Sequence, residues 1–510
     1  MTPELIESIE KKKKVVDYLI KKRVLITREI LKKLDNENEL EKTYAESLIQ
    51  NNSTPSHTKI QNTDIQNINS QNTTVQNTNI QTTSQTQQTI TVSVVSNHEN
   101  ISRKYTTQDF VGYFNSRFKA IEKILQNRQE LQNLTSIARI LQKKDKEKVS
   151  FIGIIYNKQK TKKENFMLTL EDSTGTIKTI VSKTSRAYEA VKDLVPDEVI
   201  GIVGSSGEEV VFASEIIIPD IPLTQELKKA PEEIYAAVVS DIHIGSTYFL
   251  EEEFQKFIKW INGEVGTEEQ KIISQKTKYI FIVGDMVDGA GIYPKQDSEL
   301  NIKDINDQYK EFNKYVKQIP SDKKIIICAG NHDACRLSEP QPSLANTHLS
   351  EIANFPNVTI TTNPSYINIH QSQDFPGFLF LLYHGYSYDF YGDTVESIRT
   401  SGRNISDRTE LIMKYLLQKR HLAPTHSSTL YIPNSKKDPL VIDIVPDFFL
   451  SGHIHKSCIG SHRGTIIISG SCFQAKTSFQ EKVGHEPEPC KIPIINLQTR
   501  KVTVMNFAKQ

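Results

Sequence analysis

The sequence predicts a multidomain α+β protein, and three features of its 510 residues carry that expectation. Composition changes abruptly over 49–97, where Asn, Gln, Thr and Ser dominate. Five short alternating segments crowd into 146–222, as in a small closed barrel. Beyond Pro231, five apolar segments each run into a turn that carries Asp, Asn or His.

Composition sets the outer bounds. A chain of 510 residues leaves room for about two to four domains. Its 62 basic residues balance 61 acidic ones, so bulk charge points to no nucleic-acid partner and any basic surface must be local. The five cysteines, Cys328, Cys335, Cys458, Cys472 and Cys490, are odd in number and form no Cys-x-x-Cys pair. That argues against a disulfide framework or a structural zinc site and fits a reducing cytosol. No apolar run approaches the roughly 20 residues of a membrane span, and the N-terminus lacks a signal-peptide core. A cytoplasmic protein without a membrane partner is expected.

In chain order, residues 1–48 read as a helical docking module. Thr2-Pro3 makes a helix start, and Leu5, Ile6, Ile9, Val15, Val16, Leu19 and Ile20 recur at helical spacing. A second helix spans Thr27 to Leu34. Residues 49–97 have no aromatic side chain and almost no charge, so burial cannot offset their ordering entropy; a disordered linker is expected. Residues 98–145 return to helical periodicity through Phe114, Phe118, Ile121, Ile124 and Leu125, as a helical connector. Residues 146–222 alternate as strands at Val149–Tyr156, Phe166–Glu171, Thr176–Ser182, Val199–Gly204 and Glu209–Ile218, with a helix-like Ser185–Leu194 between. Five strands so arranged suggest an OB-type barrel. Its Lys158-Gln-Lys-Thr-Lys-Lys163 turn puts Lys158, Lys160 and Lys162 either against nucleic acid or on an ordinary hairpin tip. Residues 231–510 form the last domain.

The chemistry lies in that last domain. In Tyr279-Ile-Phe-Ile-Val-Gly-Asp-Met-Val-Asp288, the run Tyr279–Val283 reads as a strand buried on both faces. Gly284 permits a sharp turn, and Asp285 follows at the sheet edge where α/β folds place ligands. Taken alone, Asp285 reads more readily as a helix N-cap than as a ligand. Four further segments share the pattern: Ala236–His243, Ile325–Asp333, Phe378–Gly385 and Phe448–His455. Asp241-x-His243 and His453-x-His455 are i, i+2 pairs, expected to aim two side chains to one face of extended backbone. Asn331 and His332 are adjacent and must diverge, so that one can bind metal while the other faces substrate. His384 adds another imidazole. Nitrogen and oxygen donors without thiolate suit manganese, iron or zinc. Seven donors exceed one ion's needs and suit two ions about 3.5–4 Å apart that share a carboxylate.

Asp-x-His, Gly-Asp-x-x-Asp, Gly-Asn-His-Asp, His and Gly-His-x-His, in that order, resemble the calcineurin-like metallophosphoesterases. Gly330–Leu344, His421–Thr425, Val441–Asp447 and Ser471–Gln480 resemble the small subunit of archaeal family-D DNA polymerase. The resemblance covers 146–510 well and 1–48 loosely. It implies an α/β/β/α metallophosphoesterase domain over 231–510. One ion would be held by Asp241, His243, Asp285 and His455, and the other by Asp285, Asn331, His384 and His453. It further implies that His332 stays off the metals and serves the leaving oxygen, with Arg336 a phosphate contact or a surface ion-pair former. The implied activity is manganese-dependent 3′→5′ exonuclease proofreading on single-stranded or mismatched DNA ends. The implied partners are a large polymerase subunit, DNA, and other replication proteins such as a sliding clamp. A non-catalytic scaffold, as in the eukaryotic B-subunits that lack most ligands, and a phosphatase of the same superfamily are the alternatives. On this reading a chain beginning near Lys146 keeps both the core and every ligand.

Overall fold

The computed structural model describes residues 91–98 and 103–509, so the expected module at 1–48 and the linker to residue 90 lie outside the described residues. The first described element, β1 (Val92–Ser96), shortens the expected linker, which ran to residue 97. It pairs antiparallel with Ser365–Ile369 and forms a sheet edge. Its three valines favour extended backbone, and the polar residues on either side hide that preference in the composition.

Helix α1 (Thr107–Leu125) opens with the Asp109 carboxylate accepting the Thr106 N–H at 2.8 Å. Tyr113, Arg117, Ile121 and Leu125 recur every four residues and form its buried stripe. Arg117 is fully buried, and its Nε donates to Asp438 Oδ2 at 2.7 Å. Tyr113 Oη donates to Asp438 Oδ1 and His421 Nε2 donates to Asp438 Oδ2, both at 2.8 Å. The Ala423 N–H occupies His421 Nδ1 at 3.0 Å. Burial, reinforced by the Arg117 cation, pushes the His421 imidazole down to about 4, so Arg117 supplies the positive charge of the cluster. This cluster makes the connector part of the C-terminal core. A chain beginning near Lys146 therefore loses Arg117 from beneath Asp438, contrary to the expectation from sequence.

A single turn, α2 (Ile137–Ile140), leads into the barrel. Its strands are β2 (Lys148–Lys160), β3 (Phe166–Asp172) and β4 (Gly175–Val181), then, after helix α3 (Tyr188–Lys192), β5 (Val199–Gly207) and β6 (Val210–Ile217). They close in the order β2-β3-β4-β6-β5, with β5 returning antiparallel to β2. Phe151, Leu168, Leu170, Ile177, Ile200, Ile202 and Val211 fill the interior. The strands match the expected five, but β2 runs on to Lys160 and so absorbs two of the three lysines assigned to a turn.

The last domain is four layers deep. Its elements are β7 (Tyr235–Val239), α4 (Glu251–Ile261), α5 (Glu268–Lys276), β8 (Thr277–Val283), α6 (Ile305–Lys317), β9 (Lys324–Cys328), β10 (Val358–Ile360), β11 (Ser365–Ile369) and β12 (Phe378–Leu382). Then come α7 (Tyr388–Thr394), α8 (Glu396–Arg399), α9 (Thr409–Lys419), β13 (Phe448–Ser451), β14 (Cys458–His462), β15 (Thr465–Ser469), α10 (Ser478–Val483), β16 (Lys491–Asn496) and β17 (Val502–Asn506). One sheet has the order β10-β9-β8-β7-β16-β17 and the other β1-β11-β12-β13-β15-β14. Their inner faces meet through Phe281, Phe380 and Phe448, whose rings stack in sequence with centroids 4.6 Å apart. Phe254, Phe257 and Phe312 on α4 and α6 cover the outer face of the first sheet, while α1, α7 and α9 cover the second. Strands β7, β8 and β9 run parallel, as do β12 and β13, so each group ends at one edge of its sheet. Among the described residues, no helix is long and apolar enough to cross a membrane.

Removing the acceptor of the Arg117 cluster tests this packing. Asp438→Ala leaves a guanidinium buried without its carboxylate and should cost about 3–5 kcal/mol of stability, read as a lower thermal midpoint. Arg117→Met combined with Asp438→Leu should recover much of that loss. An Asp438→Ala midpoint equal to wild type would mean that other contacts hold the connector.

Candidate metal centre

The five predicted strands β7, β8, β9, β12 and β13 each end two or three residues before a site residue. The turn after β7 lies along the turn after β8. The amide of Asp241 donates to Gly284 O, those of Ile242 and His243 donate to Asp285 O, and that of Ile244 donates to Met286 O. The i, i+2 pairs do converge, but not on extended backbone as expected. Asp241, His243, Asp285, His453 and His455 all have positive φ, from 50° to 73°. Left-handed backbone is uncommon for residues with a Cβ and is least disfavoured for Asp, Asn and His. The strand ends thus curl so that alternate side chains turn into one crevice. Glycines keep the turns close: a Cβ on Gly330 would stand 2.2 Å from Asp285 Oδ1, and one on Gly284 2.3 Å from His384 Nδ1.

All seven expected donors come together. His243 Nε2 faces His455 Nε2 at 3.0 Å, and His455 Nε2 lies 3.5 Å from Asp241 Oδ1. Asn331 Oδ1 faces His384 Nε2 at 3.1 Å and His453 Nδ1 at 2.9 Å. Between these two sets stands Asp285 Oδ2, 3.2 Å from His384 Nε2 and 3.9 Å from His243 Nε2. The ligand atoms of Asp241, His243 and His455 lie within 4.8 Å of one another, as do those of Asp241, Asp285 and His384.

The hydrogen bonds behind these rings decide what the site can hold. His384 Nδ1 donates to Val283 O at 2.9 Å, which in a neutral ring leaves the Nε2 lone pair directed at two oxygens. His243 Nδ1 donates to Asp288 Oδ1 at 3.0 Å, which turns its Nε2 lone pair toward His455 Nε2, the ring nitrogen opposite the one that faces the Gln480 amide. The opposed lone pairs at His384 require a cation, a proton or a metal ion, and at both rings a committed opposite nitrogen is the usual support of a metal-bound histidine. Burial disfavours the His384 cation, yet the Asp285 carboxylate pushes its pKa up to about 10. Burial likewise opposes ionisation of Asp285, and His384 and His332 hold its carboxyl well below the usual range. The residues therefore fit divalent cations bound by nitrogen and oxygen.

His332 sits beside the donors. Its amide donates to Asp285 Oδ1 and its Nδ1 to Asp288 O, both at 2.8 Å. Its Nε2 has no hydrogen-bond partner among the described residues. Together with Asn331, Tyr386, Gln474 and others it lines an open cleft of about 270 Å³.

Several supporting residues escaped the sequence reading. Asp288 lies inside the quoted motif but had no role; it binds His243, Gln296 Nε2 at 2.9 Å and Gln474 Nε2 at 2.8 Å. Gln480 Nε2 meets His455 Nδ1 at 2.9 Å, and Asp389 Oδ2 meets His453 Nε2 at 3.2 Å. Asp333 Oδ2 accepts the amides of Asp285 at 2.9 Å and Gly330 at 2.8 Å. Burial, with the charge of Asp285, pushes the Asp333 carboxyl up to about 7. The second aspartate of Gly-Asp-x-x-Asp and the Ser471–Gln480 resemblance were the available signals.

The expected phosphate contacts are not gathered here. Lys158 is half-buried in β2, where its Nζ donates to the carbonyls of Val191 at 3.2 Å and Lys192 at 2.9 Å and closes the end of α3. Lys160 pairs with Glu164 at 3.4 Å, and Lys162 is exposed on the barrel. Arg336 Nη2 donates to Pro340 O at 2.8 Å, and Arg336 is not among the residues that line the cleft.

Comparison with known proteins adds the family. The family model for the B-subunit of DNA polymerase alpha/epsilon matches residues 236–459. The DNA polymerase II small subunit of Methanothermobacter thermautotrophicus is 36% identical over 413 residues, 80% of this chain and 82% of that one. That of Archaeoglobus fulgidus is 37% identical, covering 76% of this chain and 75% of the relative. The Methanocaldococcus jannaschii protein of the same name is 38% identical over 77% of this chain but 64% of its own length. Identity of this order over most of both chains shows that this chain belongs to the family of archaeal DNA polymerase II small subunits.

Proposed function

We propose that this chain is a metal-dependent 3′→5′ exonuclease that removes unpaired DNA ends in the service of a large polymerase subunit. The observation that carries the reading is Asp285 Oδ2, placed 3.2 Å from His384 Nε2 and 3.9 Å from His243 Nε2, between two donor sets. One carboxylate oxygen so placed suits a pair of cations with a shared ligand. Asp241, His243, Asp285 and His455 would hold one ion, and Asp285, Asn331, His384 and His453 the other. Ions held there, manganese on the family's pattern, would lower the pKa of bound water and neutralise phosphoryl charge.

The chain's own residues position and protonate. Asp288 and Val283 O fix the His243 and His384 rings, and Gln480 and Asp389 brace His455 and His453. The water oxygen bonds to the terminal phosphorus in line, and the bond to O3′ of the penultimate nucleotide breaks. The water loses its proton to solvent, and His332, outside both sets, would meet O3′ as an imidazolium whose Nδ1 stays on Asp288 O while its Nε2 gives the proton that O3′ takes up. The products are a nucleoside monophosphate and a shortened strand with a free 3′ hydroxyl.

The match to the B-subunit family favours a second reading, a scaffold without chemistry. Cleavage of single-stranded DNA in manganese, lost on chelation, decides between them. A phosphatase would instead act on phosphomonoesters and co-purify with no large polymerase subunit.

Substitution of the shared ligand is the strictest check of this assignment. Asp285→Asn should reduce nuclease activity by at least about a hundredfold with the fold intact. A variant that keeps more than about a tenth of the wild-type rate in saturating manganese would contradict the shared-carboxylate assignment.

Metal counting separates ligand from acid. His332→Ala should abolish turnover while the chain still binds two manganese ions, whereas His455→Ala should lose occupancy as well as activity. Equal metal loss in the two variants would place His332 among the ligands.

A further inference from the structure

The mouth of the cleft is apolar where its floor is not. Ile292 and Leu337 are each 39% exposed and Phe479 53% exposed, and all three line the cleft that holds His243, Asp285 and Asn331. Phe479 stacks on Tyr293, with ring centroids 6.0 Å apart and planes 21° from parallel. Tyr293 in turn meets His332 edge-on at 6.5 Å. An aromatic stack thus descends from solvent to the residue placed at the leaving oxygen.

This stack is built rather than incidental. The Tyr293 hydroxyl donates to Glu299 Oε2 at 2.9 Å, which fixes the ring. Phe479 rides on α10, whose first turn is closed by Thr477 and Gln480. Gln480 also contacts His455 Nδ1 at 2.9 Å, so the exposed ring is tied to a donor of the site through the next residue in the chain.

Three exposed apolar side chains around a floor of carboxylates and imidazoles fit an amphiphilic ligand, one with an anionic centre and a flat apolar body beside it. A phosphate ester without such a body would leave Phe479 in water. A terminal base in a duplex is already stacked and paired, and reaching Phe479 requires it to leave its stack and its partner, at a cost that is least for an unpaired or mismatched end. We propose that Phe479, backed by Tyr293, receives the nucleobase of an unpaired 3′-terminal nucleotide and thereby sets the specificity of the site. This rests on the nuclease reading above. It adds a residue-level reason for choosing frayed ends over paired ones.

The test compares two single-stranded oligonucleotides that differ only at the 3′ end, one ending in adenosine and one in an abasic nucleotide. First-cleavage rates are measured with the full-length chain in manganese. Base stacking on an aromatic side chain is worth roughly 1–3 kcal/mol. Wild type should therefore prefer the adenosine end, and Phe479→Ala should shrink that preference by about fivefold or more. Phe479→Trp should restore it. If Phe479→Ala slows both substrates equally, the ring merely supports α10, and the inference fails. An unchanged preference also overturns it. Wild-type inactivity on both substrates would instead overturn the nuclease reading on which the inference stands.

Discussion

A carboxylate with almost no access to solvent, Asp285, is ionised at the point where two sheet edges meet, and its surroundings keep it charged and in place. Burial alone would neutralise such a group. Here His384 and His332 hold its charge, the His332 amide binds one oxygen, and the other oxygen stands between two imidazole nitrogens. Asp333 clamps the backbone of the same turn through the amides of Asp285 and Gly330. Gly330 must lack a side chain, because any Cβ there would occupy the space of the carboxylate.

Strain is the second condition of the site. Five of the seven donors adopt left-handed backbone, each at a cost of order 1–3 kcal/mol. The surrounding fold offsets that cost. Phe281, Phe380 and Phe448 lock the two sheets face to face, and the parallel strands bring their ends to common edges. Short apolar strands that end abruptly are what allow the turns to curl inward, so core packing and donor geometry are one design. Polar residues from later in the chain then fix the rings. Gln474 reaches Asp288 across 186 residues of sequence, and Gln480 reaches His455.

Much of this is legible in the sequence because apolar runs that end in Gly, Asp, Asn or His are local signals. The five strand ends and the seven side chains that gather beyond them follow from these signals, as do the five strands of the barrel. What local reading misses is placement in space. Alternation suggested extended Asp-x-His and His-x-His pairs, whereas their positive φ is set by the packing of one turn on the next. Lys158 reads in sequence as a nucleic-acid contact or an ordinary hairpin tip, yet β2 continues past it and its ammonium closes α3. The connector looked dispensable because Arg117 gives no hint in sequence of Asp438, 321 residues away. Val92–Ser96 was hidden by the polar composition around it, although its valines fit a sheet edge.

On the function proposed here, the Asp285 carboxylate would join two cations. Electron paramagnetic resonance of the full-length chain titrated with manganese tests it most directly. A shared Asp285 predicts that the second equivalent of manganese produces an exchange-coupled signal from a pair of neighbouring ions. Saturation after one ion, or a spectrum of two isolated ions, would contradict it.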